Sequence, residues 1–247
     1  MKMKRIFAFC MAVVLLFALT ACGNTTQNRT AESENSAGEE TGTAMTASED
    51  DKETASIEDT SSEETVVEND DNGSDILVVY FSRTGEQYGV GVIDEGNTAI
   101  VARMIAEQTS ADTFEILPMD DYYPMTYDEL TDVAKQEQNE NARPEYVTEG
   151  LPDLSQYSTI FIGAPVWWGD WPMICYTFFE NEDLSGKTLY PFSTHAGSGL
   201  SGFDIKLSSA VPDSTVGEGL AISGTDCQNN KDSVRDKVNE WLSGIGY

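Results

Sequence analysis

Ile76-Leu77-Val78-Val79-Tyr80-Phe81-Ser82-Arg83-Thr84-Gly85 is the stretch on which the rest of the reading turns. Six apolar residues without alternation predict a strand covered on both faces, because a half-exposed strand shows a polar residue at every second position. The run ends in hydroxyls, an arginine and a glycine, as a strand does where it opens onto a loop. Downstream, Thr159-Ile160-Phe161-Ile162-Gly163 predicts another buried strand, with shorter ones over 113–117 and 188–192 and a fifth ending over 219–222. Between them, helices are expected over 98–108, 127–139, 173–179, 204–210 and 231–242, with apolar residues at helical spacing in the first and last and a polar composition over 127–139. Pro172 stands where a helix begins, a position at which its missing N–H costs nothing. Strands interleaved with helices predict an α/β fold, an open parallel sheet with helices on both faces. Such sheets bind ligands beyond the carboxyl ends of their strands, where the strand order reverses.

The whole chain has 247 residues, with 14 Lys and Arg against 43 Asp and Glu, one His, and a formal charge of −29. That balance excludes the clustered cations of a nucleic-acid binder and argues against electrostatic attachment to an anionic membrane. One His and four Cys with no C-x-x-C pair argue against a zinc site, and no metal ligands are assigned.

In front of the domain, Lys2, Lys4 and Arg5 precede an apolar run over 6–19, too short to span a bilayer and suited to a signal peptide over 1–21. Leu19-Thr20-Ala21-Cys22-Gly23 resembles the bacterial lipobox, which implies cleavage before Cys22 and lipid on its sulfur. Each buried methylene of such an anchor contributes about 0.8 kcal/mol. Residues 22–75 are rich in Thr, Ser, Ala, Glu and Asp, with 16 acids against Arg29 and Lys52. That composition predicts a disordered tether on the order of 40 Å across, longer with self-repulsion. The expected place is therefore outside the cytoplasmic membrane, lipid-anchored, with residues 76–247 as one folded domain.

Three segments fall at strand ends. Ser82, Arg83, Thr84 and Gly85 follow the first strand, and Gly96-Asn97-Thr98 opens a helix. Hydroxyls and N–H groups there make an anion pocket, or the same residues make an ordinary helix cap. After the third strand comes Ala164-Pro165-Val166-Trp167-Trp168-Gly169-Asp170-Trp171-Pro172. Three tryptophans on one loop either form a local core or offer a flat face to a planar ligand. After the fourth comes Thr194-His195-Ala196-Gly197-Ser198-Gly199, where small residues permit close backbone approach. His195 is the only histidine, and a lone histidine is more often structural than catalytic.

In order and spacing these segments closely resemble a bacterial branch of the flavodoxin family, across essentially all of 76–247. The resemblance implies an open five-stranded parallel sheet in the order 2-1-3-4-5 and FMN as cofactor. Carried onto this chain, Ser82, Thr84, Asn97 and Thr98 would hold the FMN phosphate, with Arg83 and Gly85 in the same loop. Pro165, Val166, Trp167, Trp168 and Gly169 would flank the isoalloxazine with a stacked tryptophan, and the 194–199 backbone would face the ring edge. No side chain is assigned a catalytic role, since the flavin is the reactive group.

This chain departs from the family pattern by inserting Glu86 to Gly96 between Thr84-Gly85 and Asn97-Thr98. The insertion either bulges outward beside the flavin or displaces the phosphate cradle. The return of Gly96-Asn97-Thr98 before an apolar-striped helix favours an intact cradle.

With 27 acids against 9 bases over 76–247, the domain disfavours electrons arriving on a bound flavin. Each charge contributes about 1.7 kcal/mol at 10 Å and an effective dielectric of 20, before screening. A redox partner protein with a basic docking face, or a small electron acceptor, fits that surface. Cys175 and Cys227 are both expected near the carboxyl edge of the sheet, where a disulfide is allowed. Tyr122, Tyr123 and Tyr127 either wall the site or pack a connection. Three functions follow: an FMN electron carrier or small flavin oxidoreductase, an NAD(P)H-dependent quinone-type reductase, or a surface lipoprotein that binds a non-flavin ligand or partner.

Overall fold

A computed structural model describes residues 74–247. The expected signal peptide, the lipidated Cys22 and the tether up to residue 73 lie outside the described residues. In chain order the elements are β1 (Ile76–Tyr80), β2 (Gly85–Gln87), β3 (Gly91–Ile93), α1 (Asn97–Thr109), β4 (Asp112–Glu115), α2 (Tyr127–Glu140), β5 (Thr159–Pro165), α3 (Met173–Asn181), β6 (Thr188–His195), α4 (Phe203–Ala210), β7 (Thr215–Val216), β8 (Leu220–Ser223), α5 (Gly224–Asn229) and α6 (Lys231–Ile245).

The main sheet runs β4-β1-β5-β6-β7, with β8 also pairing β6, and every pair in it is parallel. Strands β7 and β8 lie along one edge of β6, beside Thr188-Leu189 and Phe192 to His195 respectively, and form a single interrupted edge strand. Counted so, the order is 2-1-3-4-5. The interruption falls at Gly217, where a Cβ would meet the Tyr190 ring at 2.3 Å. Both β5 and β6 run a few residues further than their apolar cores, which carries Pro165 and Thr194 to the sheet's carboxyl edge.

Successive residues of β1 point to opposite faces, and both faces are covered. Leu77 and Val79 join Ile160, Ile162, Phe178 and Leu207 on the side of α3 and α4. Val78 joins Phe161, Phe192, Ile105 and Val238 on the side of α1 and α6. Full burial of each such side chain contributes about 1.5–3 kcal/mol, which explains the unbroken apolar run. The same two layers decide against the disulfide that the sequence left open. Cys175 packs in the α3 layer and Cys227 in the α1/α6 layer, both buried and free, with the sheet between them. Burial pushes both thiols up, Cys227 to about 12.

Candidate functional site

The chain leaves β1 for β4 on one side and then crosses to β5 on the other, so the order reverses between β1 and β5. At the carboxyl ends of these strands lies a cleft of about 410 Å³. All three expected segments reach it: Ser82, Arg83, Asn97 and Thr98 from the first, Pro165, Val166, Trp167 and Trp168 from the second, and Thr194, His195 and Ala196 from the third. Thr84, Gly85, Gly169, Gly197, Ser198 and Gly199 do not line it. The chain turns away after Arg83, where Gly85, at a φ of +85°, tucks beneath Met125. Gly169, Gly197 and Ser198 lie on exposed turns.

The last residue of the insertion closes against the segment that precedes it. A Cβ on Gly96 would stand 2.1 Å from Ser82 Oγ and 2.8 Å from the Arg83 carbonyl oxygen, so only glycine lets the two segments close. Ser82 Oγ accepts the Ala99 N–H at 3.1 Å and thereby occupies one of the unpaired donors at the start of α1. The Thr98 and Thr194 hydroxyls are 2.8 Å apart in a buried bond that joins the first segment to the third. Asn97 Oδ1 accepts from Gln228 Nε2 at 2.8 Å. The insertion itself is a β2–β3 hairpin standing outside this closed loop, with Tyr88 and Val92 exposed and Gln87 and Tyr88 added to the cleft wall.

Two bonds hold that hairpin to the start of α2. Glu86 donates its N–H to the Met125 carbonyl at 2.8 Å, and its carboxylate accepts the Tyr127 N–H at 3.0 Å. The Glu95 carboxylate faces cations, with Arg103 at 2.9 Å and Lys231 at 3.2 Å. Burial works against its charge, yet those two hydrogen bonds hold Glu95 below the usual carboxylate range. Arg83 is clamped by Asp121 at 2.8 Å and the Tyr123 carbonyl at 2.7 Å, while its Nε is buried without a partner.

Trp167 and Asp170 exchange both backbone hydrogen bonds at 3.0 Å, closing a tight turn in which Trp168 and Gly169 have φ of +51° and +75°. Turns with two positive φ values favour Asn-Gly. A tryptophan there costs about 1–2 kcal/mol in backbone strain. Trp168 is held by its Nε1–H to the Thr131 carbonyl at 2.8 Å and by Lys135, 5.0 Å from the ring centroid. Trp167 packs edge-on against Phe81 and Tyr123. The third tryptophan, Trp171, is core: it stacks on Phe203 at 3.8 Å.

The Gly197 N–H donates to His195 Nδ1 at 3.0 Å, which leaves the ring proton on Nε2. Burial holds the imidazole below its usual pKa, with Asp226 pulling it up and Lys237 pushing it down. It is therefore a neutral side chain at pH 7. Behind the first wall, Glu137 is buried and accepts from the hydroxyls of Tyr122 and of Tyr123, the latter at 3.2 Å. Burial raises the Glu137 pKa against those two bonds, and burial beside this carboxylate pushes Tyr122 up to about 12 and Tyr123 further.

Of the three tyrosines that could wall the site, Tyr127 at the start of α2 lines the cleft, whereas sequence reading missed Leu130, Thr131 and Ala134 further along α2, and also Gly224. The first three belong to a helix that reads as merely polar. Ser223-Gly224-Thr225-Asp226, a cap-like tetrapeptide at a strand end, was a usable signal for the last. Among the described residues no group of His, Cys, Asp and Glu is placed to hold a metal ion.

Known proteins have the same architecture. A protein of Bacteroides uniformis assigned as a flavoprotein is 28% identical, covering 69% of this chain and 99% of that one with a TM-score of 0.54. A counterpart from Bacteroides eggerthii is also 28% identical, over 70% and 98% of the two chains, with a TM-score of 0.54. A Lactobacillus acidophilus flavoprotein solved in complex with FMN shares the fold at 20% identity, over 66% and 97% of the chains, with a TM-score of 0.50. No curated protein matches the chain. The family profile described as Flavodoxin matches residues 75–244, and by that match the chain belongs to the flavodoxin family.

Proposed function

We propose that the chain binds FMN in this cleft and serves as an electron-transfer protein or small flavin oxidoreductase. The reading rests chiefly on one observation: Gly96 closes the first loop across the insertion, so all three loops border one cleft. The residues present fit the cofactor. Ser82, Thr98 and the start of α1 offer hydroxyl and N–H groups to a phosphate, and Arg83 Nε is a buried donor that lacks an acceptor. Trp167 and Trp168 offer aromatic faces, and His195 offers a neutral Nε2–H. When bound, FMN supplies the electron chemistry, which the protein tunes by stacking, hydrogen bonds and charge. Titration of the purified chain with FMN, read by absorbance and flavin fluorescence quenching, tests this. Saturable quenching is expected. A chain that leaves micromolar FMN fluorescent has no such site.

The charge of the domain supports a low potential for the second electron. Export and lipidation at Cys22 rest on the lipobox-like run alone. They are tested by mass spectrometry of Cys22 in the membrane fraction, where an acylated amino-terminal cysteine is expected and an uncleaved or unmodified one overturns the anchor.

A further inference from the structure

Exposed apolar residues scattered singly on a protein surface are ordinary, but several in one short segment mark a contact surface. Leu117, Met119, Tyr122 and Met125, all within nine residues, are each about half exposed. The segment carrying them is held as a platform. Met119 donates its N–H to Glu145 at 2.9 Å, Val147 donates to Leu117 at 2.8 Å, and Arg83 binds both Asp121 and the Tyr123 carbonyl. Asp120 on this segment, and Asp128 and Glu129 just beyond it in the first turn of α2, lie exposed, and none is paired with a cation among the described residues. An apolar centre flanked by unpaired acids complements an apolar centre flanked by lysines.

A second observation ties this patch to the cleft. Trp167 lines the cleft, its ring centroid is 5.2 Å from that of Tyr123, and Tyr123 is 4.7 Å from the exposed Tyr122. Both tyrosine hydroxyls are fixed by the Glu137 carboxylate, so the three rings make one packed aromatic file from site to surface. Electron tunnelling weakens steeply with distance and is carried better by packed atoms than by solvent gaps.

We infer that the 117–125 segment is the electron-exchange face, docking a positively charged redox protein whose centre couples to the cleft through Tyr122, Tyr123 and Trp167. This rests on the FMN reading above. In the exchange, two electrons leave one reduced flavin for two one-electron acceptors in turn, and the protons of the reduced flavin pass to solvent.

The test loads the full chain with FMN, reduces it with dithionite and mixes it with a basic ferric c-type cytochrome in a stopped-flow instrument. At low ionic strength the second-order rate of haem reduction falls on the order of tenfold in Met119→Lys/Asp120→Lys. It is unchanged in Glu240→Lys, which reverses a charge on α6 across the sheet. At saturating cytochrome, Tyr122→Leu lowers the plateau rate and Tyr122→Phe restores it. A chain that takes up no FMN overturns both readings at the first step. A loaded chain in which the lysine variant matches Glu240→Lys, or in which Tyr122→Leu keeps the parent plateau, overturns the docking face alone.

Discussion

The turn at 167–170 and the hairpin over 85–93 both border the cleft, yet they are anchored in opposite ways. The turn is rooted in the core through Trp171, which is 1% exposed and stacked on Phe203, and through Trp167 against Phe81. It tolerates a strained tryptophan at a position suited to asparagine because its surroundings hold it there. The hairpin has only Gly85 and Ile93 buried and is tied down mainly by Glu86 and Met125. On the proposed FMN reading, the core-rooted side is expected to set ligand affinity and the surface-laid side to shape access.

The sharpest way to break that comparison is Gly96→Val, which forces a Cβ into Ser82 Oγ and the Arg83 carbonyl where the hairpin insertion closes on the first loop. Overpacking of this kind costs about 1–3 kcal/mol, and FMN affinity falls at least a hundredfold, about 2.7 kcal/mol. Parent-like titration of that variant would show that closure of the first loop is irrelevant to binding. Next, Trp167→Ala removes the edge-on contacts to Phe81 and Tyr123. It weakens FMN roughly tenfold, about 1.4 kcal/mol, as measured by fluorescence quenching.

The pH dependence separates the buried groups behind the rooted side from His195 on the third loop. Glu137 has a raised pKa in the fold, so its contribution is fully present below the ordinary glutamate value and lost as pH rises through the folded one. Glu115, raised by burial beside Tyr80, has the same sign. His195 has a lowered pKa, so its contribution is present above the ordinary histidine value and lost as pH falls through the folded one. Glu137→Gln therefore removes one of the terms that favour the acid side. Thermal melts from pH 4 to 8 should show the variant losing relative stability toward the acid end and gaining it toward the alkaline end. A constant difference from the parent across that range contradicts the assignment.

The smallest effect belongs to the hairpin. Glu86→Ala frees the Tyr127 N–H at the start of α2, a helix without a side-chain cap of its own, and costs about 0.5–1 kcal/mol. FMN affinity stays within twofold, and a larger loss would move the hairpin from access to affinity.

Local chemistry makes much of this legible in the sequence. The unbroken apolar runs at 76–81 and 159–163 state double-sided burial, and β1 and β5 lie where those runs lie. The cleft residues Ser82, Thr98, Trp167 and His195 were legible because strand ends are where a parallel sheet binds ligands. The hairpin was not, because Gly85-Glu86-Gln87 and Gly91-Val92-Ile93 are too short for any period to register. Helix α5 was equally hidden, being a six-residue element between a strand and a long helix.

The linear order of residues thus sufficed for the central strands of the sheet, the longer helices and the edge where chemistry gathers, because periodicity and capping are properties of neighbours in the chain. Closure of the first loop, the separate fates of three adjacent tryptophans and the opposite layers of Cys175 and Cys227 came from the assembled molecule. They depend on contacts such as Ala99 to Ser82, Tyr127 to Glu86 and Thr98 to Thr194, across 17, 41 and 96 positions. No window along the chain spans them, since only packing of the sheet brings those atoms within bonding distance.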